Sequence, residues 1–76
     1  MRNLNLQDHI VVTNNLCEGT VVLEGMTGTV IGIENGDTAL SYKIHIPKTK
    51  VPFFWVDREG NCMGGMVLFT VEPLNT

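Results

Sequence analysis

An all-β domain, a small barrel of five or six short antiparallel strands, is what this sequence predicts, and three observations carry the prediction. Apolar runs are short and rich in Val, Ile and Thr, and Gly, Pro and Asn punctuate them, as strands and turns require. No segment keeps apolar residues at i, i+3, i+4 and i+7, so no long helix is expected. Gly25, Gly28, Gly32 and Gly36 crowd the stretch LEGMTGTVIGIENGD. Glycine weakens a strand unless the backbone must bend or take positive φ, so this crowding implies a sheet curved hard. Curling a small sheet into a barrel also removes its open edges.

The elements follow in order. DHIVVT (8–13) reads as a strand opened by Asp8 and closed by the turn-forming pair Asn14-Asn15. A long connection follows, in which TVVLE (20–24) has the composition of a short strand of its own. GTVIGIE (28–34) is the next strand, with Thr29, Ile31 and Ile33 on one face and Val30 and Gly32 on the other. Gly25 and Gly28 admit the bend into it, Gly32 lets it coil, and Asn35-Gly36 is a strong hairpin signal. The return strand LSYKIHI (40–46) alternates cleanly. Leu40, Tyr42, Ile44 and Ile46 face inward, and Ser41, Lys43 and His45 outward. Pro47 and Pro52 end the pairing. FFWV (53–56) is a strand, DREGN (57–61) a turn, and MVLFTVEPL (66–74) closes the chain.

With 76 residues, the chain makes one domain near the lower limit for a self-sufficient core. A domain of this size buries only about 60–65% of its unfolded surface, so a partner, a disulfide or self-association would help it. The hydrophobic fraction of 43% excludes intrinsic disorder. Five basic residues stand against eight acidic ones, a net charge of −3. A nucleic-acid-gripping domain usually carries a basic excess, so the balance disfavours that role without removing a local patch. No run approaches the ~20 apolar residues of a membrane span, and MRNLNLQDHI has no apolar signal-peptide core. Cys17 and Cys62 form no CxxC pair; they read either as two buried thiols or as one disulfide. Cytoplasmic residence is expected. The size, and the start at Met1, suggest a complete accessory protein of the kind phages and mobile elements encode.

DHIVV followed by EGMTGTVIGIE resembles the KOW-type, SH3-like small barrel, in which a D-x-V-x-V strand precedes a G-x-x-G-x-V segment. Gly25, Gly28 and Val30 match that spacing. The same region, VVTNN to EGMTGTVIGIE, is similar to the small barrel inserted near the end of RecD-like helicases. The resemblance covers residues 8 to 34 and implies an SH3-like fold, with nucleic acid as a partner of many such barrels. Here the loop from Val12 to Gly25 is long, and Glu18 and Glu24 stand where those barrels place basic residues, which argues against that partner.

Catalytic chemistry is not expected. His9, Cys17, His45 and Cys62 are too scattered for metal-ligand spacing. Ser41 and His45 share a strand face but lie about 13 Å apart at ~3.3 Å per residue, too far for a nucleophile and its base. The glycines lack the GK[ST] of a phosphate loop. No enzyme activity, cofactor or metal is therefore expected.

Two binding features remain. YKIHIPKTK (42–50) gathers Lys43, Lys48 and Lys50 beside Tyr42 and His45, either as a solvated edge guard or as a docking site for phosphate or an acidic partner. In VPFFWVD, period two sets Phe54 and Val56 on one face and Phe53 and Trp55 on the other. Only one face can enter a one-layer barrel, so two aromatics are left to be covered by the long first loop, with Leu16 and Val21–Leu23, or to form an interface. Met66 adds to that surplus. The expected function is protein–protein or self-association through Phe53, Trp55 and a neighbouring Met or Phe. One alternative is a nucleic-acid module with Lys43, Lys48 and Lys50 on phosphates and Trp55 or Tyr42 as a stacking platform. Another is a small-ligand site where copies of the chain meet.

Overall fold

The computed structural model describes residues 4–16, 22–36, 40–63 and 67–74. The strands are β1 (His9–Asn15), β2 (Thr27–Asn35), β3 (Leu40–His45), β4 (Phe54–Asp57), β5 (Asn61–Met63) and β6 (Val67–Pro73). All neighbours are antiparallel, in the order β4-β3-β2-β1-β6-β5. Among the described residues the helical content is one 3-10 turn, Pro47–Thr49, and no helix is long and apolar enough to cross a membrane. The edge strands β4 and β5 are consecutive in the chain, so the sheet curls into a small, nearly closed all-β barrel. Side chains close the seam where backbone pairing stops. Phe54 meets Phe69 of β6 edge-to-face, with centroids 5.3 Å apart. The Asp57 carboxylate fixes the turn into β5, accepting the Glu59 and Asn61 N–H groups at 2.9 Å each.

The interior is filled by alternate residues of each strand. Ile10 and Val12, Val30, Tyr42 and Ile44, Val56, Cys62, and Phe69 and Val71 are all buried, and Ile46 just beyond β3 joins them. Each such aliphatic or aromatic side chain contributes roughly 1.5–3 kcal/mol by leaving water. Tyr42 is inside with the rest, 1% exposed, its hydroxyl oxygen accepting the Leu4 N–H at 3.1 Å. Its placement as a stacking platform is therefore corrected: the ring offers no free face.

Bulges account for most departures from the sequence expectations. The β1–β6 register shifts between Val12 and Asn14, after which Asn14 and Asn15 pair with Thr70 and Phe69. The asparagine pair thus extends β1 instead of ending it. The β2–β3 register shifts between Val30 and Gly32. An extra residue in one strand reverses the side-chain phase beyond it, so Gly32 lies opposite outward-facing Lys43, and Ile33 opposite inward-facing Tyr42. Val30 and Gly32 do not share a face. Asn35 pairs with Leu40, so four residues separate the paired ends of β2 and β3 where a two-residue turn is expected; positions 37–39 lie outside the described residues. Residues 22–24 are not a strand, and positions 20–21 are not among those described.

Two glycines have a local reason. Gly25, at φ +92°, turns the chain into β2, and its N–H donates to the Val12 carbonyl at 2.8 Å. At Gly28 the end of β3 crosses so closely that a Cβ would lie 2.5 Å from the His45 carbonyl oxygen.

Candidate aromatic binding face

The outer surface of β2, β3 and β4 is set by register, because residues directly opposite one another share a face. One row runs Gly32, Lys43, Trp55 and the next runs Glu34, Ser41, Asp57. Pro47 starts the 3-10 turn, in which the Thr49 hydroxyl donates to the Ile46 carbonyl at 2.8 Å. Lys50 follows in the left-handed conformation at φ 61°. An imidazole-to-carbonyl bond of 3.0 Å between His45 Nδ1 and Pro52 then ties the returning chain to β3. This connection delivers Phe53 and Trp55 to the outside while Phe54 and Val56 turn inward.

Phe53 and Trp55 are each 39% exposed. Their rings meet edge-to-face, centroids 5.9 Å apart and planes at 78°, the arrangement that ring quadrupoles favour. Lys43 Nζ lies over both, 4.4 Å from the Phe53 centroid and 5.2 Å from that of Trp55, within cation–π range. Room for its stem exists because Gly32 opposite has no side chain, a Cβ there standing 3.2 Å from that of Lys43. Among the described residues, no carboxylate forms an ion pair with Lys43. The face is thus a packed pair of half-exposed aromatics with an ammonium group at its centre.

Of the residues singled out in the sequence, Phe53, Trp55 and Lys43 come together here. Lys48 and Lys50 are exposed on the turn of the same β3–β4 hairpin. Tyr42 is withdrawn into the core, and Met66 lies outside the described residues. Leu16 and Leu23 of the first connection stay exposed at 57% and 55%, while Val22 enters the core. Those described leucines point to water instead of covering the aromatics. The sequence reading placed Lys43 among the basic residues and missed its seat over the rings. Counting back equally from Pro47 and Pro52 sets Lys43 opposite Val56, one residue off the observed partner Trp55, so the prolines alone do not reveal that seat. It also missed Ile31, 47% exposed at the bulge beside Gly32, because the glycine marks a bend there without showing which neighbour is turned outward.

Cys62 is a free, buried thiol, and burial raises its pKa above the ordinary value; Cys17 lies outside the described residues. Among the described residues no group of three or more His, Cys, Asp or Glu side chains is placed to hold a metal ion. No protein-family model, curated protein or solved structure matches this chain.

Proposed function

We propose that this barrel is a non-catalytic binding module that engages another protein, or a second copy of itself, through the face built by Phe53, Trp55 and Lys43. One observation carries the reading: two packed aromatic side chains stand on the outer face of the sheet, each 39% exposed, while the barrel core is filled from the other face. Aromatic side chains held rigid lose little entropy on binding and dominate the energy of protein interfaces. On this reading the module works in the cytoplasm, and its kinship is with KOW-type and RecD-inserted SH3-like barrels. The nearly closed antiparallel sheet and the left-handed turn at Gly25 ahead of β2 support that kinship.

Sedimentation equilibrium across a wide concentration range, with stoichiometric co-purification as its second arm, tests the proposal. Wild type should gain mass with concentration or retain a defined protein at fixed stoichiometry, and Trp55→Ala should lose either property while staying folded. A wild type that is monomeric and retains nothing, or a Trp55→Ala variant that behaves like wild type, would overturn it. A second reading, a nucleic-acid-associated module, draws on the lysines that share the hairpin with Trp55, and binding that weakens steeply with salt would favour it.

A further inference from the structure

The charge of this chain is unevenly placed. The β3–β4 hairpin, residues 40–57, holds Lys43, Lys48 and Lys50 against Asp57 alone, a net +2, so the remainder carries −5 of the overall −3. At the centre of the hairpin's outer face, Lys43 Nζ rests on two aromatic rings with no carboxylate bound to it among the described residues. An ammonium held on π-faces retains most of its charge and can still donate hydrogen bonds. What complements it is a carboxylate delivered together with apolar surface.

We propose that the partner of the Phe53–Trp55 face is an acidic, apolar polypeptide segment, and that Lys43 is the residue that selects its carboxylate. This rests on the binding role assigned to the same face above and narrows it to the chemistry of the partner. The alternative polyanion, a nucleic-acid strand, fits the surface less well. The row beside Lys43 and Trp55 is Glu34, Ser41 and Asp57, so evenly spaced phosphates crossing the face would meet two carboxylates. A peptide carries its charges singly and can set one on Lys43, extend apolar side chains over Phe53, Trp55 and Ile31, and avoid the acidic row. Lys48 and Lys50, on the turn at the other end of the hairpin, bias the approach of such a segment toward that end. Charge placed this way raises the encounter rate and disfavours cationic competitors.

The test is fluorescence anisotropy with three labelled probes: a short peptide mixing Glu with Leu and Phe, its counterpart with every Glu replaced by Gln, and an oligothymidine of equal length. Wild type should bind the Glu peptide at least about tenfold more tightly than the Gln peptide, the factor that one charge-assisted contact supplies. Lys43→Gln should abolish that preference with its melting temperature little changed, and Lys43→Glu should reverse it. Equal binding of the two peptides would overturn the selection of charge while leaving the face a protein-binding one. Tighter binding of oligothymidine than of the Glu peptide would overturn the inference in favour of nucleic acid. If none of the probes binds, sedimentation separates the failures. Trp55-dependent association that persists removes the acidic partner alone, and its absence removes the binding role as well.

Discussion

Replacing Gly28 with alanine adds one methyl group at the point where β2 lies closest to the end of its neighbour β3. The new Cβ would stand 2.5 Å from the His45 carbonyl oxygen and 3.0 Å from Ile46 Cγ1. Carbon and carbonyl oxygen normally approach no closer than about 3.3 Å, so two strands must separate by about 0.8 Å. That carbonyl belongs to backbone held by the β2–β3 pairing of Thr29 with His45, and it cannot swing aside as a side-chain tip can. Forcing a methylene into a packed interior costs about 1–3 kcal/mol, and the gain from a stiffer unfolded chain returns about 0.4–1 kcal/mol. A net loss of about 1–2 kcal/mol is expected, which for a domain of this size lowers the melting temperature by roughly 4–16 °C. Urea titration and a thermal melt, followed by far-ultraviolet circular dichroism, measure it directly. Gly25 supplies the contrast, because its Cβ would meet nothing within 4 Å and the constraint is φ +92°. Asparagine tolerates positive φ, so Gly25→Asn should be milder than Gly28→Asn. Wild-type stability in Gly28→Ala, or the reverse order for the two asparagine variants, would refute the close crossing of β2 and β3.

Other outcomes follow from the same geometry. Tyr42→Phe removes the oxygen that accepts the Leu4 N–H, and chemical denaturation should show a loss of about 1–2 kcal/mol. Cys62 has its thiol pKa raised by burial, so the folded state favours the protonated form. Its contribution is fully present below the ordinary thiol pKa and is lost as pH rises through the folded value. Above about pH 9 wild type should therefore lose stability more steeply than Cys62→Ala, as pH-dependent melts will show. Alkylation of Cys62, followed by peptide mapping, should be much slower in the native protein than in denaturant, because the thiol is buried.

How much of this was legible in the sequence depended on whether phase survived. In β3 the alternation of Leu40, Tyr42, Ile44 and Ile46 runs unbroken, so its two faces could be assigned residue by residue. The short span from Phe53 to Val56 likewise fixes which aromatics turn outward. Around Thr13 and Ile31 a single extra residue changes the phase; nothing in the local composition marks the first insertion, while Gly32 marks the second without saying how the faces shift. Asn14-Asn15 has turn chemistry, yet pairing with β6 overrides it, since a strand partner satisfies backbone groups that a turn would leave to water. The binding face was half visible. Period two gave its aromatics, but the cation over them comes from a different strand and depends on the β3–β4 register, a long-range property.

The central claim is that Phe54 and Trp55, adjacent in the chain, divide structure from binding. Phe54 packs on Phe69 across the barrel seam, and Phe54→Ala should lose about 3 kcal/mol of folding stability. Trp55→Ala gives up half-exposed contacts with Phe53 and Lys43, and should keep its β-sheet circular dichroism and lose about 1–2.5 kcal/mol of stability, less than Phe54→Ala. It should nonetheless weaken association by roughly thirtyfold, the equivalent of about 2 kcal/mol. Measuring unfolding and association free energies of both variants side by side decides the matter. A Trp55→Ala protein that melts, beside a Phe54→Ala protein that folds normally, would show the two faces reversed and contradict the account.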